Sequence, residues 1–255
     1  DTPAWYMDSY GWGQVNYIHE HPKPTTVKFQ QNEYIKNEFE KLEVSASQGN
    51  SSITGGYPSV IDIPSFVDFM ILNELASNAD GYQFSTFFHK DRNGKLRAGP
   101  IWDFNLTFGN DLFDFGFDRS KSYLWQFEYE NMGTKFWTDL FYDPVFKCYL
   151  TKRWQELIAP GNPMNSYGIS QLIDATKTLI LEAATRQELL SGTTGQFEDQ
   201  MSALKSFIFE RISWISGQLS DTSLCDNVST PSLVISKINY HPLVQEDQDS
   251  SDFEF

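Results

Sequence analysis

The chain has 255 residues, 40% of them hydrophobic and 16% aromatic, a globular composition long enough for one large domain, or for one domain and a fragment of another. A formal net charge of −15 excludes nucleic-acid backbones and anionic membranes as partners, but leaves a nucleotide open, because a divalent metal held by carboxylates reverses the local sign. No apolar run reaches the ~18 residues of a spanning helix, so no membrane span is expected.

The chain opens on Asp-Thr-Pro, without a basic or apolar leader, so any signal peptide is expected to lie outside this sequence. Residues 1–25 carry Trp5, Tyr6, Tyr10, Trp12, Pro22 and Pro24 and read as an irregular packed segment. From Gln30 to about Ala46, Ile35, Phe39, Leu42 and Ala46 recur at helical spacing. The Gly/Ser-rich stretch 47–59 is a loop. Asp62 is placed to cap the next helix, with Pro64 in its first turn, and that helix runs to about Ser77. It is apolar on nearly every side and so belongs at the centre of the core. Glu74, its acidic exception, reads as a paired structural carboxylate, since buried acids are usually satisfied by partners.

An acidic, Phe-rich loop covers 110–123, and helices follow at about 134–142, 144–158, 170–190 and 197–219, the second with Asp143 as cap and Pro144 at its first position. Trp154, Phe207, Ile208, Ile212 and Ile215 form core stripes on these helices. Cys148 and Cys225 are the only cysteines, and their spacing does not decide whether they pair. The expected division is a domain over 1–222, a Ser/Thr/Pro linker over 223–232, and over 233–255 the severed start of a β domain, since so few strands cannot fold alone. The fold class is α+β, mostly α-helical.

The informative stretch is 78–110, NADGYQFSTFFHKDRNGKLRAGPIWDFNLTFGN. Asn93-Gly94 predicts a type I′ hairpin turn, both of whose central residues need positive φ. That turn pairs Arg92 with Lys95 and, in continued register, Phe84 with Asp103. Asp80 precedes Phe84 by four residues across Gly81, where the chain bends easily, so Asp80 and Asp103 are expected at one end of the ribbon. Pro100 allows a one-residue slip there. Carboxylates so placed can hold a divalent metal, act as acid and base on a glycoside, or set a base beside a metal-bound phosphate; they can also be local caps. The element order, a buried helix, an Asp-bearing loop, a hairpin and an Asp at its exit, matches a protein-kinase lower lobe.

ELASNADGYQFSTFFHKD (74–91) followed by KLRAGPIWDFNLTFGN (95–110) resembles the catalytic segment and Trp-Asp-x-Asp motif of the CotH kinases, the spore coat protein H-like family. YGWGQVNYIHEHPKP (10–24) resembles the stretch upstream of it in large secreted bacterial members, and the likeness covers about residues 5–220. It implies a kinase-like C-terminal lobe and phosphoryl transfer from ATP, with Mg²⁺ or Mn²⁺, to Ser or Thr of secreted or surface proteins. Carried over by position, Asp80 is the catalytic base, Asp103 and Ser85 bind cofactor and metal, and Asn105 assists at the metal, Ser85 standing where kinases usually have Asn and Asn105 where the motif often has its second Asp. The nucleotide-binding upper lobe is expected before residue 1, leaving this fragment inactive alone. The tail 232–255 is similar to the first strands of lamin-tail-type domains. The rival reading is a non-catalytic, pseudokinase-like surface module for adhesion, carbohydrate contact or assembly, to which the aromatic start lends stacking surfaces. A two-carboxylate glycosidase ranks last. Glycosylation sequons stand at Asn50, Asn105 and Asn227, and oligomeric state is not legible.

Overall fold

The computed structural model describes residues 3–11, 13–110, 121–129, 133–226 and 228. The expected β-domain start falls wholly outside these residues, as do half of the expected linker and most of the acidic Phe-rich loop. The described chain is α+β and mostly helical, with two antiparallel two-stranded sheets. Among these residues no helix is long and apolar enough to cross a membrane.

The N-terminal segment is more regular than its composition implies. Strands β1 (Trp5–Asp8) and β2 (Gln14–Tyr17) pair antiparallel, Trp5 opposite Tyr17. Trp5 and Met7 alternate inward while Tyr6 and Asp8 face out, a period-2 pattern hidden by Gly and aromatic residues on either side. Trp5 stacks on Tyr17, and both rings meet Phe39 of helix α1 (Phe29–Ser47). Beyond a single turn, α2 (Tyr57–Val60), lies α3 (Ile63–Ala76). Asp62 caps α3 by accepting from the Ser65 N–H at 3.2 Å, with Pro64 in the first turn.

Helices α4 (Phe136–Tyr142), α5 (Pro144–Ile158), α6 (Ser166–Ser191) and α7 (Gln196–Gln218) complete the body. Asp143 caps α5 through the Phe146 N–H at 2.9 Å and also accepts from the Tyr57 hydroxyl at 2.6 Å. Phe66, Phe69, Phe136 and Trp137 pack ring on ring around α3, which is buried along most of its length.

Glu74 of α3 is 2% exposed and Arg211 of α7 is fully buried, with Arg211 Nη2 2.9 Å from Glu74 Oε2. The carboxylate also accepts from Tyr82 Oη at 2.9 Å, the Gln126 N–H at 2.8 Å and the Phe127 N–H at 3.0 Å. Arg211 further donates to the carbonyls of Glu74, Ser122 and Leu124, and its guanidinium lies over the Trp214 ring. Burial pushes the Glu74 carboxyl up from the ordinary range, opposed chiefly by Arg211, and pushes Arg211 down, opposed chiefly by Glu74. Every partner of Glu74 is a donor, which holds it as the carboxylate.

The second hairpin differs from expectation. Strands β3 (Phe88–Lys90) and β4 (Leu96–Ala98) pair Phe88 with Ala98 and Lys90 with Leu96. The turn runs Asp91 to Gly94, closed by the Gly94 N–H on Asp91 O at 3.0 Å, and Asn93 alone takes the left-handed φ, 62°. Gly94 is not left-handed, so the turn is not type I′, and Arg92 does not pair with Lys95. The ladder ends after Gly99, whose φ of 115° turns the chain before Pro100, which has no N–H to donate. Phe84 and Asp103 are therefore not paired. β4 docks on the start of α3, Asp62 N–H donating to Leu96 O at 2.8 Å and Ala98 N–H to Ser65 Oγ at 3.3 Å.

Cys148 of α5 and Cys225, in a short 3₁₀ turn (Ser223–Cys225), are disulfide-bonded across 77 residues. Replacing both by serine is expected to cost about 2–4 kcal/mol, read by denaturant unfolding with and without reductant. Arg211→Met strands the Glu74 charge and is expected to cost about 3–5 kcal/mol; a loss under about 1 kcal/mol in the same assay would show that the pair does not hold α3 to α7.

Candidate functional site

The site grows from the end of α3. Ser77 ends the helix at φ 50°, and Asn78, fully buried, starts a run of turns. Asn78 Oδ1 accepts from the Asp80 N–H at 3.2 Å, an Asx turn, while Asn78 Nδ2 donates to Asn73 Oδ1 at 3.0 Å. Asp80 O then collects the N–H groups of Gln83, Phe84 and Ser85. Tyr82, two residues past Asp80, is anchored on Glu74, and burial raises its hydroxyl well above the ordinary range. The half-buried Asp80 thus sits in a turn whose backbone is bonded on both sides. Ser85 is buried, with its amide on Asp80 O at 2.9 Å.

The second arm follows β4. Trp102 sets its ring edge-on to Phe87, centroids 6.4 Å apart. Asp103 is exposed and left-handed at φ 59°, and Phe108 is left-handed at 54°. Asp tolerates this region better than most residues because its short side chain can bond locally, yet Asp103 makes no hydrogen bond or ion pair with any described residue. Neither do the side chains of Ser85 and Asn105. The arm closes where the Phe108 N–H donates to Ala76 O at 2.6 Å.

Two backbone hydrogen bonds, Gly99 N–H to Phe87 O at 2.8 Å and Phe108 N–H to Ala76 O, join residues 76–87 and 99–108 into one closed circuit. Asp80 and Ser85 lie on one arm, Asp103 and Asn105 on the other. The sequence motif located both arms; the joints are not the ladder it suggested, because Asp103 lies five residues beyond the end of β4. Sequence reasoning missed Asn73, Asn78, Tyr82 and Arg211. The signals were an Asn two residues before Asp80, which writes an Asx turn, and one Arg inside the apolar stripe of α7, which demands an acid.

The donor set fits a hard divalent cation. Asp103, Asn105 and Ser85 offer oxygen, and those side chains are unspent on internal bonds. No cluster of three or more His, Cys, Asp or Glu suited to a metal occurs among the described residues.

A family model described as CotH kinase protein matches residues 5–215. No curated protein matches the chain, and no solved structure does.

A left-handed carboxylate without partners is expected to be dispensable for folding. Asp103→Gly should leave the unfolding midpoint unchanged or raise it, whereas Asp103→Val should cost about 1–2 kcal/mol in the left-handed region. A marked loss with glycine, measured by thermal unfolding, would mean that the carboxylate is a structural cap.

Proposed function

This chain belongs to the CotH kinase protein family, and on that premise we propose that residues 5–215 form the kinase-like lower lobe of a phosphotransferase that moves the γ-phosphoryl group of ATP to Ser or Thr hydroxyls of protein substrates. The observation that carries the proposal is Asp103: exposed, left-handed, without a hydrogen-bond or ion-pair partner among the described residues, and tied by the backbone circuit to the arm that bears Asp80. Strain held at an unpaired acid has no folding benefit and is typical of sites selected for chemistry.

In this reading Asp103 holds Mg²⁺ or Mn²⁺, with Asn105 and Ser85 as weaker neutral oxygen donors. When bound, the metal–nucleotide complex supplies the transferable phosphoryl group and neutralises charge on it. Asp80 orients the acceptor hydroxyl and takes its proton at a carboxylate oxygen. The multiply bonded carbonyl and amide of Asp80 keep that carboxylate in place. The nucleotide-binding upper lobe belongs to the full-length protein in this proposal, and this lobe alone does not turn over ATP. The Cys148–Cys225 disulfide supports an oxidising location, secreted or at the cell surface. Of the aromatic start on which the adhesion reading rests, Trp5 is packed on the core with Tyr17, while Tyr6 and Tyr10 stay exposed.

Titration calorimetry of the full-length protein with ATP and Mn²⁺ separates the roles. Asp103→Ala is expected to lose metal-dependent nucleotide binding along with turnover. Asp80→Ala should keep binding and lose turnover by about 10²-fold or more. Asn105→Asp should tighten metal binding by adding a charged oxygen. Equal metal affinity in wild type and Asp103→Ala would refute the assignment.

A further inference from the structure

We infer that Asn78 is a positioning residue for Asp80, acting as the middle member of an amide relay that transmits the placement of α3 to the catalytic turn. The inference rests on the reading of Asp80 as the acceptor base. Asn73 Nδ2 donates to Phe69 O at 2.9 Å, which fixes that amide on the helix. Asn73 Oδ1 then accepts from Asn78 Nδ2, and Asn78 Oδ1 accepts from the Asp80 N–H. The backbone of Asn78 is used as well: its N–H donates to Asn73 O at 2.9 Å and its carbonyl accepts from the Gly81 N–H at 3.1 Å. Both asparagines are buried.

An ordinary Asx turn in a loop leaves the side-chain amide pointing at water. Here Nδ2 is spent on a second buried amide, so the rotamer of Asn78, and with it the height of the Asp80 amide above α3, has one solution. Gly81 shows how closely the turn is pressed onto the relay: a Cβ there would stand 2.2 Å from Asn73 Oδ1. A glycine beside Asp80 is therefore required by contact with Asn73, not by its φ. Misplacement of a reacting group by ~1 Å costs about 10²-fold in rate, so such a relay affects the chemical step more than binding.

The test is steady-state kinetics on the full-length protein with Asn78→Ala, Asn78→Ser, Gly81→Ala and Asp80→Asn, with hydrogen exchange at the Asp80 amide. Asn78→Ala should lower kcat at least tenfold, leave KM for Mg²⁺-ATP unchanged, and speed exchange at Asp80. Asn78→Ser keeps the i+2 acceptor but loses the Nδ2 donor to Asn73 Oδ1, so it should recover only part of the loss. Gly81→Ala, which disturbs the relay without deleting a buried polar group, should reproduce the kcat effect. Wild-type kcat in Asn78→Ala, Gly81→Ala or Asn78→Ser while Asp80→Asn is inactive overturns the relay alone. Full turnover by Asp80→Asn overturns the role of Asp80 itself, and the inference with it.

Discussion

The buried pair between Glu74 and Arg211 is the constraint on which the remainder depends. A carboxylate removed from water is tolerable only when its lone pairs are filled, and Glu74 fills them from four sources: Arg211, Tyr82, and the amides of Gln126 and Phe127. Those sources lie on three separate stretches of chain. Satisfying one charge therefore fixes the end of α3 against α7, the turn at Tyr82 and the segment at 122–127 together. Tyr82 is two residues from Asp80, so the same charge that locks the core also locates the candidate base. Hydrophobic packing around Phe69 and Trp137 is not directional, whereas the hydrogen bonds of the ion pair join specific atoms of α3, α7, the Tyr82 turn and the 122–127 segment.

From that anchor the site is made of compensated irregularities. Ser77, Asp103 and Phe108 all occupy the left-handed region, and Gly99 ends the ladder with a φ of 115°. Each of the three non-glycine positions would be costly alone. They persist because the joints at Gly99 and Phe108 hold the arm at both ends. The result is a hydrogen-bonded turn carrying Asp80, joined through the backbone to an arm that carries the exposed, left-handed Asp103. A site that orients one group and leaves the other free for a ligand is suited to chemistry in which one carboxylate acts on a hydroxyl and the other on a metal-bound phosphate.

Much of this was legible in residue order, for physical reasons. Helices α3 and α5 announce themselves by Asp62 with Pro64 and Asp143 with Pro144, because an N-cap and a proline act within one turn. Helix α1 shows through its apolar spacing and Glu74 through its burial. What failed was longer in range or finer in register. Strands β1 and β2 are four residues each, too short for alternation to outweigh Gly11 and Gly13. The second hairpin places its left-handed residue at Asn93 while Gly94 stays out of that region, so local propensity gave the turn but not the pairing. The Cys148–Cys225 bond and the pairing of Glu74 with Arg211, 137 residues apart, are tertiary facts: each partner is marked by its own surroundings, but nothing local says which meets which. The family resemblance named Asp80 and Asp103 as candidates; the left-handed backbone at Asp103 and the amide relay beneath Asp80 emerged only from the fold.

The central claim is that the two arms of the circuit serve one metal–nucleotide site. It is tested most directly by a crystal structure of the full-length protein with Mn²⁺ and a non-hydrolysable ATP analogue, with the metal located by anomalous scattering. The account predicts Mn²⁺ at about 2.0–2.3 Å from an Asp103 carboxylate oxygen, with the γ-phosphate between it and Asp80. Nucleotide and metal bound elsewhere, or Asp80 and Asp103 opening onto opposite faces of the circuit, would contradict it.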